Sequence, residues 1–114
     1  MREDGKLDYL EMAGGDLPTL KAFYAAAFGW RFVDYGPEYA AHAEGLDGGF
    51  HAGAGGPPLP VLFSTDLEAA LAKVEAAGAA ITKPIFSFPG GRRFHFRDPA
   101  GNELAVWAEA SEES

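Results

Sequence analysis

The sequence predicts an α+β fold in which one plan, a strand, a helix and three strands, is written twice as tandem βαβββ modules. Three observations predict it. Two segments, Asp16 to Gly29 and Asp66 to Gly78, share a helical design; one strand-like piece precedes each and three follow; and only a short stretch rich in glycine and proline separates the copies. A chain of 114 residues with 47% apolar side chains suits one domain with one core, because a disordered chain has too little apolar surface to offset its conformational entropy.

The first module covers about residues 5–54. It opens with a strand from Lys6 to Met12. In the helix that follows, Asp16 is placed to accept a hydrogen bond from a first-turn amide, and Pro18 is tolerated where its missing donor costs nothing. Leu17, Leu20, Phe23, Tyr24 and Phe28 recur at steps of three and four, which predicts one buried face. Gly29 is a natural stop, since glycine enters the left-handed conformation without steric cost. Strands are then expected over Trp30 to Tyr35, Tyr39 to Glu44 and Gly49 to Ala52.

Gly53 to Pro58 reads as the turn between the copies. The second module, about residues 57–109, repeats the order: a strand from Leu59 to Ser64, a helix that a capping box from Thr65 to Glu68 would start, and a stop at Gly78. Its helix buries Leu67, Leu71 and Val74, with Ala70 and Ala77 beside them. The last strands are Ala80 to Ile85, Arg93 to Arg97 and Glu103 to Ala108, and the acidic stretch from Glu109 to Ser114 reads as a solvated end.

Charge and composition narrow the function. A formal charge of -8 opposes binding to nucleic acid or an anionic membrane, since each phosphate contact needs a cation. It favours a cationic ligand instead. Without cysteine there is no disulfide framework, thiolate metal site or cysteine nucleophile. No long apolar run or secretory signal is present, so the expected location is the cytoplasm. Pro89, Gly90 and Gly91 precede a strand rather than join a strand to a helix, so they read as a turn and not as a phosphate loop.

The duplicated plan, Asp16-Leu17 with Lys21-Ala-Phe-Tyr24 and Phe28-Gly-Trp30, and the ending Phe96-Arg-Asp-Pro-Ala-Gly-Asn102 together resemble the vicinal oxygen chelate superfamily, the glyoxalase and bleomycin-resistance type. The resemblance covers nearly the whole chain. It implies two βαβββ modules forming a half-open, barrel-like cleft, completed by a homodimer. Glyoxalases, extradiol dioxygenases, epimerases, fosfomycin-modifying enzymes and metal-free drug-binding proteins share that fold, so function has to be argued from the site.

Metal enzymes of the superfamily carry ligands at four strand positions. Carried onto this chain, these fall on Tyr9, on Leu59, on Ala105 and near His51. Leucine and alanine have no donor atom, and one histidine cannot hold a divalent ion that needs about three protein ligands. The expectation is a site with no metal and no cofactor, with His51 an ordinary histidine at a strand end.

Strand alternation sorts the remaining side chains. Leu7, Tyr9 and Glu11, then Leu59, Val61 and Phe63, then Arg93, His95 and Arg97, and finally Glu103, Ala105 and Trp107 are expected to face the cleft. Leu10, Met12, Phe94, Phe96, Leu104 and Val106 face the helices. Trp30, Phe23, Phe28 and Phe86 are expected in the core, Tyr24 turns its ring inward, and His42 has no assigned role. The ligand-binding set is therefore Tyr9, Glu11, Leu59, Val61, Phe63, Arg93, His95, Glu103, Ala105 and Trp107, a mostly apolar lining with a few polar groups.

In dioxygenase relatives the position of His95 carries an acid-base side chain, and a histidine there can move a proton near neutral pH. Hydrogen bonding within the sheet is its other reading. Glu11 has two readings as well, a base of raised pKa or an ion pair with Arg93 or Arg97. Three functions stay open: a metal-independent protein binding a small aromatic or cationic compound, a metal-independent lyase or isomerase using His95 and Glu11, and a structural module pairing through its sheet edges.

Overall fold

The computed structural model describes residues 2–53 and 56–110. Within the turn expected over Gly53 to Pro58, residues 54 and 55 lie outside the described residues, as do residues 111–114 of the acidic end. The chain forms two compact units, Tyr9–Leu59 and a second made of Met1–Asp8 with Pro60–Ser114.

Both units repeat one topology. In the N-terminal unit the elements are β1 (Leu7–Gly15), α1 (Leu17–Phe28), β2 (Val33–Asp34), β3 (Tyr39–His42) and β4 (Asp47–Ala52), in the sheet order β2-β3-β4-β1. In the C-terminal unit they are β5 (Leu59–Phe63), α2 (Leu67–Ala76), β6 (Ala80–Phe88), β7 (Gly91–Arg97) and β8 (Glu103–Glu109), in the order β5-β8-β7-β6. The first and last strands of each unit, β1 with β4 and β5 with β8, pair in parallel. A helical crossover after the first strand permits this, whereas the tight turns between the later strands force antiparallel neighbours. The doubled βαβββ plan is the fold of the chain.

Each helix covers one face of its own sheet. Leu17 with Leu20 and Tyr24 packs on Ala40 and Phe50, and Met12, Trp30 and Phe32 join them. In the C-terminal unit Leu67, Ala70, Leu71 and Val74 meet Phe94, Phe96, Val106 and Ala108. Met12, Phe94, Phe96, Leu104 and Val106 therefore face the helices as alternation predicts.

Helix starts differ from expectation. Asp66 caps α2 by accepting from the amide of Ala69 at 3.1 Å, but the capping box does not form: Thr65 bonds Asp4, and Glu68 pairs with Arg92 across the helix-sheet contact. At α1 the Asp16 carboxylate accepts from the hydroxyl of Thr19, and its side chain bonds no first-turn amide. Gly29 ends α1 in the left-handed conformation, φ 71°, as its sequence position demands.

Two aromatic assignments on α1 fail. Phe23 and Phe28 are 56% and 66% exposed rather than core, because the line from Leu17 through Leu20 to Tyr24 already covers Phe50 and α1 has more aromatic rings than its sheet can bury. Trp30 does join the core, stacking on Tyr24 at 4.6 Å between centroids. With Phe32 it turns toward His42, which leaves only Val33 and Asp34 to ladder as β2. No helix among the described residues is long and apolar enough to cross a membrane.

Candidate functional site

In the C-terminal unit, the sheet face turned away from α2 carries the chemistry. The hairpin of β7 and β8 sets Arg97 opposite Glu103, His95 opposite Ala105 and Arg93 opposite Trp107, and β5 adds Val61 opposite Ala105 and Phe63 opposite Trp107. All of these were placed on one face by alternation, and the register brings them together.

His95 lies at the centre, 4% exposed. Its Nδ1 is 3.1 Å from Oε2 of Glu103, and Thr82 from β6 donates its hydroxyl to the same oxygen at 3.2 Å. Arg97 stands 4.0 Å from the other oxygen. The hydrogen bond from His95, supplemented by that from Thr82 and by the charge of Arg97, holds the Glu103 carboxyl below its usual range. Burial pushes the imidazole of His95 below its usual pKa; the Glu103 hydrogen bond opposes this, and Arg93 and Lys83 add to it. Its Nε2 is buried and has no hydrogen-bond partner among the described residues.

Aromatic side chains lie beside this group and along the same face. Phe86 lies 5.7 Å from the His95 ring, and the guanidinium of Arg93 sits over Phe86 and Phe88 at 5.4 and 5.6 Å. Trp107 contacts Phe63 and Phe88, and its indole donates to Asp8 at 2.9 Å. Phe86 and Phe88 were not read as site residues. Two irregularities in the β6 to β7 register, on either side of Lys83, shift the alternation, so Phe86 belongs to this face and not to the core. Pro84 sits at the second of them, on the outer strand of its sheet, where a missing donor is tolerated.

The N-terminal unit has its own polar face. Tyr9 and Tyr39 share a hydrogen bond of 2.5 Å between hydroxyls, and Gly49 leaves room for the Tyr39 ring, which a methyl group there would strike. Burial raises the Tyr9 phenol, with Glu11 and Asp47 adding to the effect and the Tyr39 hydrogen bond opposing it. Glu11 pairs with Gly49 in the β1 to β4 register. The carboxylate bonded to His95 is Glu103. A signal for that pairing was present: a hairpin closing on Asp98 to Asn102 sets Arg97 opposite Glu103, and so makes His95 and Glu103 diagonal neighbours on one face.

A family model of the Glyoxalase/Bleomycin resistance protein/Dioxygenase superfamily matches residues 6–106. The chain belongs to this superfamily. No curated protein matches the sequence. Among solved structures, methylmalonyl-CoA epimerase from Mycobacterium tuberculosis is similar at TM-score 0.73 and 15% identity, covering 99% of this chain and 93% of that one. Methylmalonyl-CoA epimerase from Streptomyces coelicolor is similar at 0.68 and 16%, covering 96% and 97%. The Mn(II)-bound glyoxalase from Novosphingobium aromaticivorans is similar at 0.67 and 21%, and this chain spans 100% of itself but 43% of that chain. At these identities the likeness is one of fold.

Metal-binding members of the superfamily raise the question of whether these residues suit an ion. Ala105 is fully buried opposite His95 and has only a methyl group, and Leu59 has no donor. The Tyr9 hydroxyl is committed to Tyr39, and burial disfavours the phenolate that would bind a cation. His51 is exposed at the end of β4, with Nδ1 3.2 Å from the Ala52 carbonyl. The four positions do not fit a divalent ion, and no group of three His, Asp or Glu side chains among the described residues is arranged to hold one.

Proposed function

We propose that this chain is a metal-independent small-molecule-binding protein of the glyoxalase and bleomycin-resistance type, and that its ligand is a small aromatic compound held against the sheet face around His95. The observation that carries the reading is the buried His95, gripped by Glu103 through one nitrogen, with Phe86 against its ring and the pair of Phe63 and Trp107 on the same sheet face. Apolar walls with a few fixed polar groups are what orient small ligands. Net charge suggests a cationic ligand, whereas around His95 the Glu103 carboxylate stands among the cations Lys83, Arg93 and Arg97, a balance that favours a neutral one. Arg93, Val61 and Ala105 share that face and complete this part of the ligand-binding set. The protein acts as a cytoplasmic homodimer, as the resemblance implies, and its charge of -8 disfavours nucleic acid and anionic lipid.

The test joins elemental analysis to a ligand screen. Protein purified without chelator carries no stoichiometric Zn, Ni, Mn or Fe, its unfolding temperature is unchanged by those ions, and aromatic compounds raise it. One tightly held ion per chain would overturn the metal-free reading. A screen that finds no binder to the wild type would overturn the binding reading.

One observation favours a second reading. A neutral imidazole held through Nδ1 by a carboxylate is also a general base, and isomerases share this fold. A metal-independent lyase or isomerase using His95 for proton transfer would show turnover abolished by His95→Ala, with an acid limb set by the histidine.

A further inference from the structure

We propose that Glu103 is a positioning residue that holds His95 in the Nδ1–H tautomer, so that Nε2 is a hydrogen-bond acceptor and this face selects ligands with an O–H or N–H donor at that point. The inference rests on the reading of this face as a ligand site.

The argument is one of proton accounting. Oε2 of Glu103 receives both the Thr82 hydroxyl, at 3.2 Å, and Nδ1 of His95, at 3.1 Å, while Arg97 approaches the other oxygen. A carboxylate in that company is ionised and can only accept. The proton in the His95 contact therefore sits on Nδ1, and the hydrogen bond made by one ring nitrogen decides the state of the other. A buried ring with Lys83 and Arg93 nearby is kept neutral, which leaves Nε2 with a lone pair and no proton. That atom is buried without a partner among the described residues, and a buried acceptor left unpaired has given up its hydrogen bond to water with nothing in return. A ligand donor satisfies it. A carboxylate, phosphate or ether oxygen would set lone pair against lone pair.

Long-range 1H–15N spectra of the imidazoles test this. In the wild type at pH 7.5 the proton of His95 is expected on Nδ1; in Glu103→Gln, whose amide oxygen still accepts, it stays there; in Glu103→Ala the ring turns toward the Nε2–H form that imidazole ordinarily prefers. A wild-type proton on Nε2, or an unchanged tautomer in Glu103→Ala, overturns the assignment. Should the alanine variant not fold, the glutamine variant answers instead: loss of the carboxylate charge lowers the His95 titration midpoint, and an unmoved midpoint overturns the contact. Titration with phenol is then expected to shift the Nε2 resonance, and anisole, its methyl ether, to leave it in place. Equal shifts from both would overturn donor selection. Binding of neither, with the tautomer as expected, would overturn the reading of the face as a ligand site and not the role of Glu103.

Discussion

Gly91 and Gly49 show how differently two buried glycines can be constrained. A methyl group on Gly91 would run into the backbone carbonyl of Ala108 on β8, which the sheet holds in place; on Gly49 it would meet the side chain of Tyr39, which can swing aside. Gly91→Ala should therefore lower stability by about 1–3 kcal/mol, the cost of overpacking a fixed contact. Gly49→Ala should cost less and break the Tyr9 hydrogen bond to Tyr39. Urea unfolding of both variants checks the order. His42 is a second residue whose environment sets a measurable property. It is 9% exposed among Trp30, Phe32 and Phe50, and neither ring nitrogen has a partner among the described residues. Burial lowers its pKa below the ordinary 6.5, against weaker opposition from Glu44 and Asp47. The unfolded chain then takes up the proton first, so the stability this residue contributes is present above pH 6.5 and is lost as pH falls from there toward the folded value. His42→Phe should flatten that part of the stability profile, with His95 leaving a remainder of the same sign. A slope unchanged in His42→Phe would show that the imidazole titrates in the folded chain as it does in the unfolded one. Nothing in the sequence around His42 marked it as buried, because the cage that hides it comes from residues 8 to 12 positions away.

The elements were largely legible. Both helices and all eight strands fall where periodicity and turn residues put them, since a helix face or strand side that must be buried leaves its period in the sequence. What periodicity could not show was where the ladder slips: β6 runs on to Phe88 past Pro84, and its two register shifts move Phe86 onto the His95 face. The parity of β7 and β8 was legible for the converse reason. They form an unbroken hairpin, and seven consecutive pairs from Gly91 opposite Glu109 to Arg97 opposite Glu103 keep alternation intact. The helix starts give a prediction at this scale. Asp66 bonds the Ala69 amide whereas Asp16 is occupied by Thr19, so Asp66→Ala should cost about 1 kcal/mol and Asp16→Ala clearly less. Identical first residues, Asp followed by Leu, hid this difference. Equal losses in thermal unfolding would mean that Asp16 caps α1 in solution.

At the scale of the whole chain, the order of residues and the order of packing part company at the N-terminus. Residues up to Asp8, the first two of β1 among them, belong with the C-terminal unit and not with the rest of that strand. The amide of Gly5 bonds the carbonyl of Phe63 at 2.8 Å, Asp4 accepts from both the amide and the hydroxyl of Thr65, and Asp8 accepts from the Trp107 indole while Arg2 lies 5.1 Å over the Trp107 ring. Sequence reading missed this because the segment is polar and carries no period. The two tryptophans make it measurable, since Trp30 lies in one unit and Trp107 in the other. Deleting residues 2–5 removes the Gly5, Asp4 and Arg2 contacts, each hydrogen bond worth about 0.5–1.5 kcal/mol and the exposed cation over the ring about 0.5–1 kcal/mol. In a Trp30→Phe background the deletion should red-shift the remaining emission and lower the urea midpoint it reports. In a Trp107→Phe background the emission of Trp30, stacked on Tyr24, should stay where it is. If both tryptophans shift together, the segment supports the chain as a whole and the assignment of the first eight residues to the C-terminal unit is wrong.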